Sequence, residues 1–390
     1  MSVTQIVITG GPCAGKTTCL STLDERLTAK GYKVITVPEA ATEMMMSGIK
    51  IPEVGLVEFE KMLIEFQLAK EKLAMRAAEK YPKAVVLLDR GIPDCRAYMT
   101  DTDYAAALAA NQLNPHRACH RYDAVLHLVT AAKGAERFYT CANNPARQET
   151  DLTVARQADD RTQQAYIGHP HLRIIDNSTD FAKKISRLCG EVFSVLGIPV
   201  PLEIERKFLI DCPTRDDLMA HGAVPQKIVQ AYLKSDGDTE RRIRERGDAS
   251  GFTCFYTEKK SFSPIKRIER ERKISEQEYM TLLTEAEYVL TKTRWCFIWQ
   301  GQYFELDTFD SDPKRALLEI ELTDEKQQIS LPPWCHVIRE VSHDEAYHNH
   351  SIARQGFPTA HLSERVGDGP IRNNPVRAWQ TYFPDMTSIL

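Results

Sequence analysis

Glu203-Ile204-Glu205-Arg206-Lys207 decides how the second half of this chain is read. The stretch has the alternation of a β-strand, and side chains alternate across a strand, so Glu203, Glu205 and Lys207 share one face. Two carboxylates and an ammonium make a poor core, because unpaired buried charge is strongly unfavourable. In isolation such a face is simply solvated. Here the same alternation returns on seven later segments.

Working outward, the second half reads as eight strands, at about 202–209, 228–233, 239–245, 252–259, 266–274, 291–299, 302–308 and 315–322, with a helix at about 275–287 after the fifth. Short strands separated by turns, without strand–helix–strand spacing, predict an antiparallel sheet or barrel. One parity carries Arg242, Arg244, Lys259, Arg267, Glu269, Glu271, Lys273, Lys292, Arg294, Glu305, Asp307, Glu319 and Glu321, and the other carries Ile204, Phe208, Ile243, Ile268, Leu306, Leu318, Ile320 and Leu322. The apolar parity is therefore expected to pack outward and the charged parity to line an interior. A barrel of about eight strands has room for side chains and one small ligand.

The signs sort into two sets. Glu203, Glu205, Asp307, Glu319 and Glu321 form an acidic set, and crowded carboxylates either raise their pKa values or take up a cation. All-oxygen ligands without His or Cys favour Mg2+ or Mn2+. Lys207, Arg242, Arg244, Lys259, Arg267, Lys292 and Arg294 form a basic set suited to the oxygens of a linear polyphosphate. Residues 241–273 alone hold eleven Lys and Arg against five Asp and Glu. Glu269 and Glu271 either touch a second metal or orient the arginines. Lys292 beside Arg294 is expected to have its pKa lowered by like charge, as a general base requires.

The ordered segments EIERKFL, QAYL, RRIRERG, TEKK, RIERERKI, TKTRW, YFELDTF, LLEIEL and SHDEAYHNHSIA resemble the triphosphate tunnel metalloenzymes of the CYTH superfamily across about 155 residues. The resemblance implies an α+β domain with an eight-stranded antiparallel tunnel that binds triphosphate and a divalent metal. It is nearest to the small inorganic triphosphatases, and it implies that Lys292 and Tyr232 assist water attack. Tyr232 reads equally well as a packing residue. Adenylate cyclases and thiamine-triphosphatases share the scaffold, and a fold does not fix an activity.

The first half begins with the strand TQIVIT and then Gly10, Gly11, Pro12, Cys13, Ala14, Gly15, Lys16, Thr17 and Thr18, followed by a helical pattern. Strand, glycine-rich loop and helix are the context of a P-loop, whose amides hold phosphate oxygens at a helix N-terminus. Lys16 is expected to reach the β- and γ-phosphates and Thr17 to ligate Mg2+. Further strands read at 33–37, 84–89, 122–129 and 172–176, and the longest helix at about 55–80, so an α/β domain with a parallel sheet covered on both faces is expected. Asp89 and Glu39 close two strands, at the sheet end where ligands bind. Asp89 is expected near Mg2+ or the γ-phosphate, and Glu39 as a proton acceptor for an acceptor hydroxyl. GGPCAGKTT, VPEAA and LLDRGIPDCRAY resemble P-loop kinase domains related to nicotinamide-riboside and deoxynucleoside kinases, over about 190 residues. Arg147, Arg156 and Arg161 lie where those proteins carry a lid and are candidate γ-phosphate clamps.

Gly197-Ile-Pro-Val-Pro201 marks the boundary, giving domains at 1–198 and 201–356 and a tail at 357–390 that docks through its aromatic residues. No signal-like leader and no apolar run near the ~20 residues of a bilayer span is present, and the ten cysteines show no C-x-x-C pair, so a cytoplasmic chain with free thiols is expected. The expected function is a two-domain phosphate-transfer enzyme. Its tunnel hydrolyses tripolyphosphate or a nucleoside triphosphate with Mg2+ or Mn2+, and its P-loop domain binds ATP and either phosphorylates a small acceptor or couples hydrolysis to a conformational change. The rivals are a class IV-type adenylate cyclase, a non-catalytic polyphosphate or nucleotide sensor, and an RNA 5′-end processing triphosphatase–kinase. A net charge of −4 and the absence of an RNA-binding motif weigh against the last.

Overall fold

The computed structural model describes residues 3–139, 151–198, 204–234, 239–263, 266–324 and 326–358, with the side chains of 260–270 outside that description. The chain divides into two compact units, Met1–Ile198 and Pro199–Leu390.

The first unit holds strands β1 (Thr4–Gly10), β2 (Lys33–Val37), β3 (Ala84–Asp89), β4 (Ala124–Leu128) and β5 (Leu172–Ile175) in the order β2-β3-β1-β4-β5, every neighbouring pair parallel. Ile6, Val7, Ile8 and Val85 to Leu88 are fully buried, as expected of central strands covered on both faces. The helix Lys16–Ala29 packs Leu23 and Leu27 against Leu188 and Val192 of the helix Phe181–Val195. The long helix Leu56–Ala78 stands within the span predicted for it. Between β1 and its helix the chain turns through Gly10 (φ 147) and Gly15 (φ 88). A side chain at Gly10 would put its Cβ 2.1 Å from the Leu128 carbonyl oxygen, so only glycine fits.

The second unit holds β6 (Ile204–Asp211), β7 (Val224–Leu233), β8 (Thr239–Asp248), β9 (Gly251–Ser263), β10 (Lys266–Ile274), β11 (Ala286–Trp299), β12 (Gln302–Phe309), β13 (Asp312–Leu322) and β14 (Val337–Glu340). They form one antiparallel sheet in the order β10-β9-β8-β7-β11-β12-β13-β6-β14. Among the described residues the sheet therefore has nine strands, where eight were expected. The ninth is a four-residue edge strand, exposed throughout, and so short and solvated a segment carries no hydrophobic period to read. Among the described residues no ladder joins β10 to β6 or β14, so the expected closed barrel is an open ladder here. The sheet nevertheless curls, since Arg246 on β8 reaches Glu305 of β12 at 3.5 Å, three places away in the strand order.

The outer parity is apolar. Phe208, Leu306, Leu318, Ile320 and Phe304 pack with Leu218 of the helix Arg215–Ala220, and Val229, Ala231 and Ile243 pack with Tyr279 and Leu283 of the helix Glu276–Leu283. Each helix starts on a side-chain cap, Thr214 accepting from the Asp217 amide and Ser275 from the Glu278 amide. The second helix is shorter than the predicted 275–287 because β11 begins at Ala286.

Candidate functional site

In the first unit the glycine-rich loop sits at the C-terminal end of β1. Cys13 (φ 54) and Gly15 turn it, and the Lys16 ammonium donates to the Gly10 carbonyl at 3.4 Å. Ala14 is buried, while Thr17 and Thr18 are exposed on the first helical turn. Burial, together with Arg90, lowers the Lys16 pKa, opposed by Asp89, Glu39 and Asp94. Asp89 ends β3 facing this lysine. Its Oδ1 is buried without a hydrogen-bond partner, and burial raises its carboxyl above the usual range.

Glu39 is engaged differently from the expectation for a proton acceptor. Arg90, in the left-handed region at φ 72, donates from Nε to Glu39 Oε1 at 2.5 Å and from Nη1 to Asp94 Oδ1 at 3.0 Å. Against the upward push of burial, Arg90, Lys16 and the Thr42 hydroxyl hold the Glu39 carboxyl down at about 2. So held, Glu39 is a weak base. Asp94 is itself buried and also accepts from Thr9 Oγ1 at 2.5 Å and Tyr166 Oη at 2.6 Å.

The helix Leu152–Gln164 carries Arg156 and Arg161. Arg156 donates to the Ala132 carbonyl at 2.6 Å and pairs with Glu136 at 3.1 Å, and Arg161 is exposed. Arg147 lies outside the described residues. The same helix supplies a residue that no motif announced. Asp159 is fully buried and accepts from the amides of Gly11 (3.0 Å) and Thr130 (3.1 Å), from Gln163 (3.0 Å) and from Lys133 (2.8 Å), with His127 Nε2 at 2.9 Å. Burial opposes its charge, but His127 and Lys133 hold the carboxyl below its ordinary range. Gly11 has no room for a side chain because Asp159 Oδ1 would stand 2.7 Å from its Cβ.

In the second unit the charged parity faces the concave side. Register pairs Glu205 with Glu321, Lys207 with Glu319, Glu305 with Glu319 and Arg294 with Asp307, so these side chains share one face. On it Arg246 and Asp307 are fully buried, Lys292 is 2% exposed, Glu319 5%, and Lys207 and Arg294 6% each. Arg294 is the centre. It donates to Asp307 Oδ1 from Nε at 2.7 Å, to Asp307 Oδ2 and Glu319 Oε2 from Nη2 at 2.6 and 2.7 Å, and to Glu305 from Nη1. Lys292 donates to Asp307 and, at 3.1 Å, to Asn349 Oδ1. Lys207 pairs with Glu319 at 2.8 Å and with Glu205 at 3.7 Å.

These pairings set the electrostatics. Burial works against charge on Asp307 and Glu319, but Arg294 with Lys292 holds Asp307 below the carboxylate range, and Lys207 with Arg294 does the same for Glu319. Glu205 moves the other way. Enclosure by the protein and the neighbouring Glu319 carboxylate raise it, although 46% of its side chain still meets solvent. The Lys292 pKa is lowered to about 8, as the sequence led us to expect, but burial is the larger cause and Arg294 the second. Tyr232 is buried, accepts from Gln230 at 2.5 Å and has its hydroxyl pKa raised, first by burial, so it is a neutral phenol here.

Further round the sheet, Arg244 grips both oxygens of Glu271 at 3.0 Å, and Thr257 donates to Glu271 at 2.9 Å, so Glu271 orients an arginine. Arg242 stands opposite Tyr232 in register, and Lys259 is partly exposed opposite Glu240. Glu321 is exposed. Glu203 and the side chains of Arg267 and Glu269 lie outside the described residues. Among those described, no group of three or more His, Cys, Asp or Glu is placed to hold a metal, since Asp307, Glu305 and Glu271 are turned onto arginines.

Residues 5–184 match the family described as AAA domain. The match names an AAA domain and not a kinase, so the first unit is P-loop-like and similar to AAA domains. No curated protein matches the chain. Two crystal structures of NE1496, one called an inorganic triphosphatase and the other a hypothetical protein, are each 30% identical to this chain with a TM-score of 0.30. They cover 40% and 39% of this chain respectively, and the chain covers 95% and 97% of them. The PH1012 protein from Pyrococcus horikoshii OT3 is 18% identical, with a TM-score of 0.25, covering 32% of this chain and 80% of its own.

Two groups in the second unit were legible and missed. Arg246 continues the parity of Arg242 and Arg244, because β8 runs three residues beyond the expected 239–245. Glu305 was placed on the charged parity but given no role, although it meets Arg294 and Arg246. In the AAA-type unit nothing local marks Asp159, because its partners lie up to 148 residues away.

Proposed function

We propose that the second unit binds a linear triphosphate on its concave charged face and hydrolyses it, and that the AAA-type unit binds ATP and transfers its terminal phosphoryl group to a small acceptor. The observation that carries the first part is the burial of Lys292, Arg294, Arg246 and Lys207 with Asp307 and Glu319 on one face. Buried ion pairs contribute little net stability, and replacing them by apolar residues is often favourable. A fold that keeps this many on the face it curls around is better explained by a ligand that exchanges for those pairs. The printed name of NE1496 states the same reaction for that protein.

In this reading Lys207, Arg242, Arg244, Arg246, Lys259 and Arg294 bind the phosphate oxygens, their guanidinium forks fixing the chain of phosphoryl groups in one line. Lys292, whose pKa is about 8, removes the proton from the attacking water near neutral pH. Tyr232, a neutral phenol, donates to an oxygen of the ligand. The curled sheet keeps bulk water from the phosphoryl groups that are not reacting. Among the described residues no three carboxylates converge on this face, and Glu319 is held by Lys207 and Arg294. Glu205, raised by burial and by its neighbour Glu319, is the carboxylate a hard cation would suit, with Glu319 and Glu321 able to join it once the phosphate oxygens draw Lys207 and Arg294 away. When bound there, Mg2+ or Mn2+ supplies charge neutralisation for the leaving phosphate. In the AAA-type unit the loop amides and Lys16 hold the ATP phosphates. The orphaned Asp89 Oδ1 and the Thr17 hydroxyl fit Mg2+ there.

The test is to incubate the pure chain with tripolyphosphate, ATP and other triphosphates in Mg2+ or Mn2+ and identify every product by mass. Orthophosphate is expected. Cyclic nucleotide with pyrophosphate would establish the cyclase instead, and binding without turnover would establish a sensor.

A further inference from the structure

We propose that Asn349 is a positioning residue that aims the Lys292 amine into the concave face. This rests on the reading of that face as a hydrolytic site.

The side chain of Lys292 enters from β11 and is 2% exposed, so its nitrogen has few neighbours to choose among. Two of them are fixed acceptors, Asp307 on β12 and Asn349 Oδ1 at 3.1 Å. They come from different elements. Asp307 belongs to the sheet and is itself gripped by both Nε and Nη2 of Arg294, which leaves it little freedom to move. Asn349 opens the short helix Asn349–Gln355, which is anchored by apolar packing of Ile352 and Phe357 against Leu209, Leu290, Phe309 and Leu317. Those residues lie on the same parity as the charged set, so the helix seals one end of the concave face with an apolar plug.

A tetrahedral nitrogen bonded to Cε and donating to two fixed acceptors has one direction left. The charged face occupies the remaining side. An amide oxygen suits this task in a way a carboxylate does not, because it accepts a hydrogen bond without adding a second negative charge beside Asp307. His350, the next residue, lies edge-on to Tyr232 with ring centroids 4.9 Å apart, so the start of this helix meets both residues that the proposed reaction uses. Lys292 and Tyr232 are otherwise separate. They stand four positions apart along paired strands, on the order of 13 Å.

The test is a double-mutant cycle on the full chain, with tripolyphosphate and Mg2+ or Mn2+. Asn349→Leu keeps the volume of the side chain and removes its acceptor, whereas Asn349→Ala removes both. If Asn349 positions the amine, both variants lose roughly ten- to a hundredfold in kcat with KM changed less than about twofold. In a Lys292→Ala background neither costs anything further. The calorimetric midpoint of Asn349→Leu shows whether the fold is intact. Wild-type kcat in Asn349→Leu with loss in Asn349→Ala would reduce Asn349 to packing and overturn the inference. Equal, additive losses in the wild-type and Lys292→Ala backgrounds would overturn it as well. An inactive wild-type chain, or full turnover in Lys292→Ala, would instead remove the hydrolytic reading and the inference with it.

Discussion

Replacing Arg294 by Met tests the charged face most directly. The substitution keeps much of the apolar stem and removes a guanidinium that satisfies Asp307, Glu319 and Glu305 together. Removing one partner of a buried ion pair costs about 3–5 kcal/mol because an uncompensated charge stays behind. Lys292 and Lys207 remain beside Asp307 and Glu319, so the lower end of that range is expected at neutral pH. The loss must depend on pH. Asp307 and Glu319 have folded pKa values below their ordinary ones, so the stability they contribute is present above about pH 4–5, where the unfolded carboxyls ionise, and is lost as pH falls toward the folded values. The penalty of Arg294→Met should therefore be largest at pH 7 and much smaller near pH 3. Urea unfolding followed by tryptophan fluorescence reads this unit alone, because Trp295, Trp299, Trp334 and Trp379 all lie beyond the first unit. A loss below about 1 kcal/mol at pH 7, or the same loss at both pH values, would refute the network as described.

Lys292→Ala should lower kcat for tripolyphosphate far more than it changes KM, and a change confined to KM would make this lysine a phosphate ligand only. Lys16→Ala should abolish ATP binding to the first unit in calorimetric titration while tripolyphosphate hydrolysis persists; equal loss of both would show that the two activities share one site. Asp159→Ala leaves the buried Gly11 and Thr130 amides without their acceptor and the Lys133 ammonium with Asp160 alone, so it should destabilise the first unit by about 3 kcal/mol and weaken ATP binding, read by scanning calorimetry and titration. Glu60 is buried, and burial raises its carboxyl to about 7. The folded state thus keeps a proton that the unfolded chain releases, and stability falls as pH rises from about 4 to 7. Glu60→Gln should then stabilise the first unit by about 2–3 kcal/mol at pH 8 and by little at pH 4, and an unchanged calorimetric midpoint at pH 8 would contradict this.

The sequence by itself determined which side chains share a face. A strand repeats every two residues, so the charged parity from Glu205 to Glu321 was readable without knowing where any strand lay in space. The glycine spacing from Gly10 to Gly15 was readable for the same local reason, since a turn that excludes Cβ atoms leaves glycines behind. Tertiary structure alone decided which charges meet. Arg294 takes its carboxylates from β12 and β13, Asp159 reaches back to Gly11, and Arg90 draws Glu39, expected as a proton acceptor, into an ion pair. Register, sheet curvature and the path of a distant helix set those partners, and each is fixed by packing of the whole unit rather than by the period of any one segment. The same holds for the signs of the shifts, which send Glu205 up and Glu319 down on a single face. An ion pair in a buried site answers to its nearest few ångströms, and no stretch of sequence contains those.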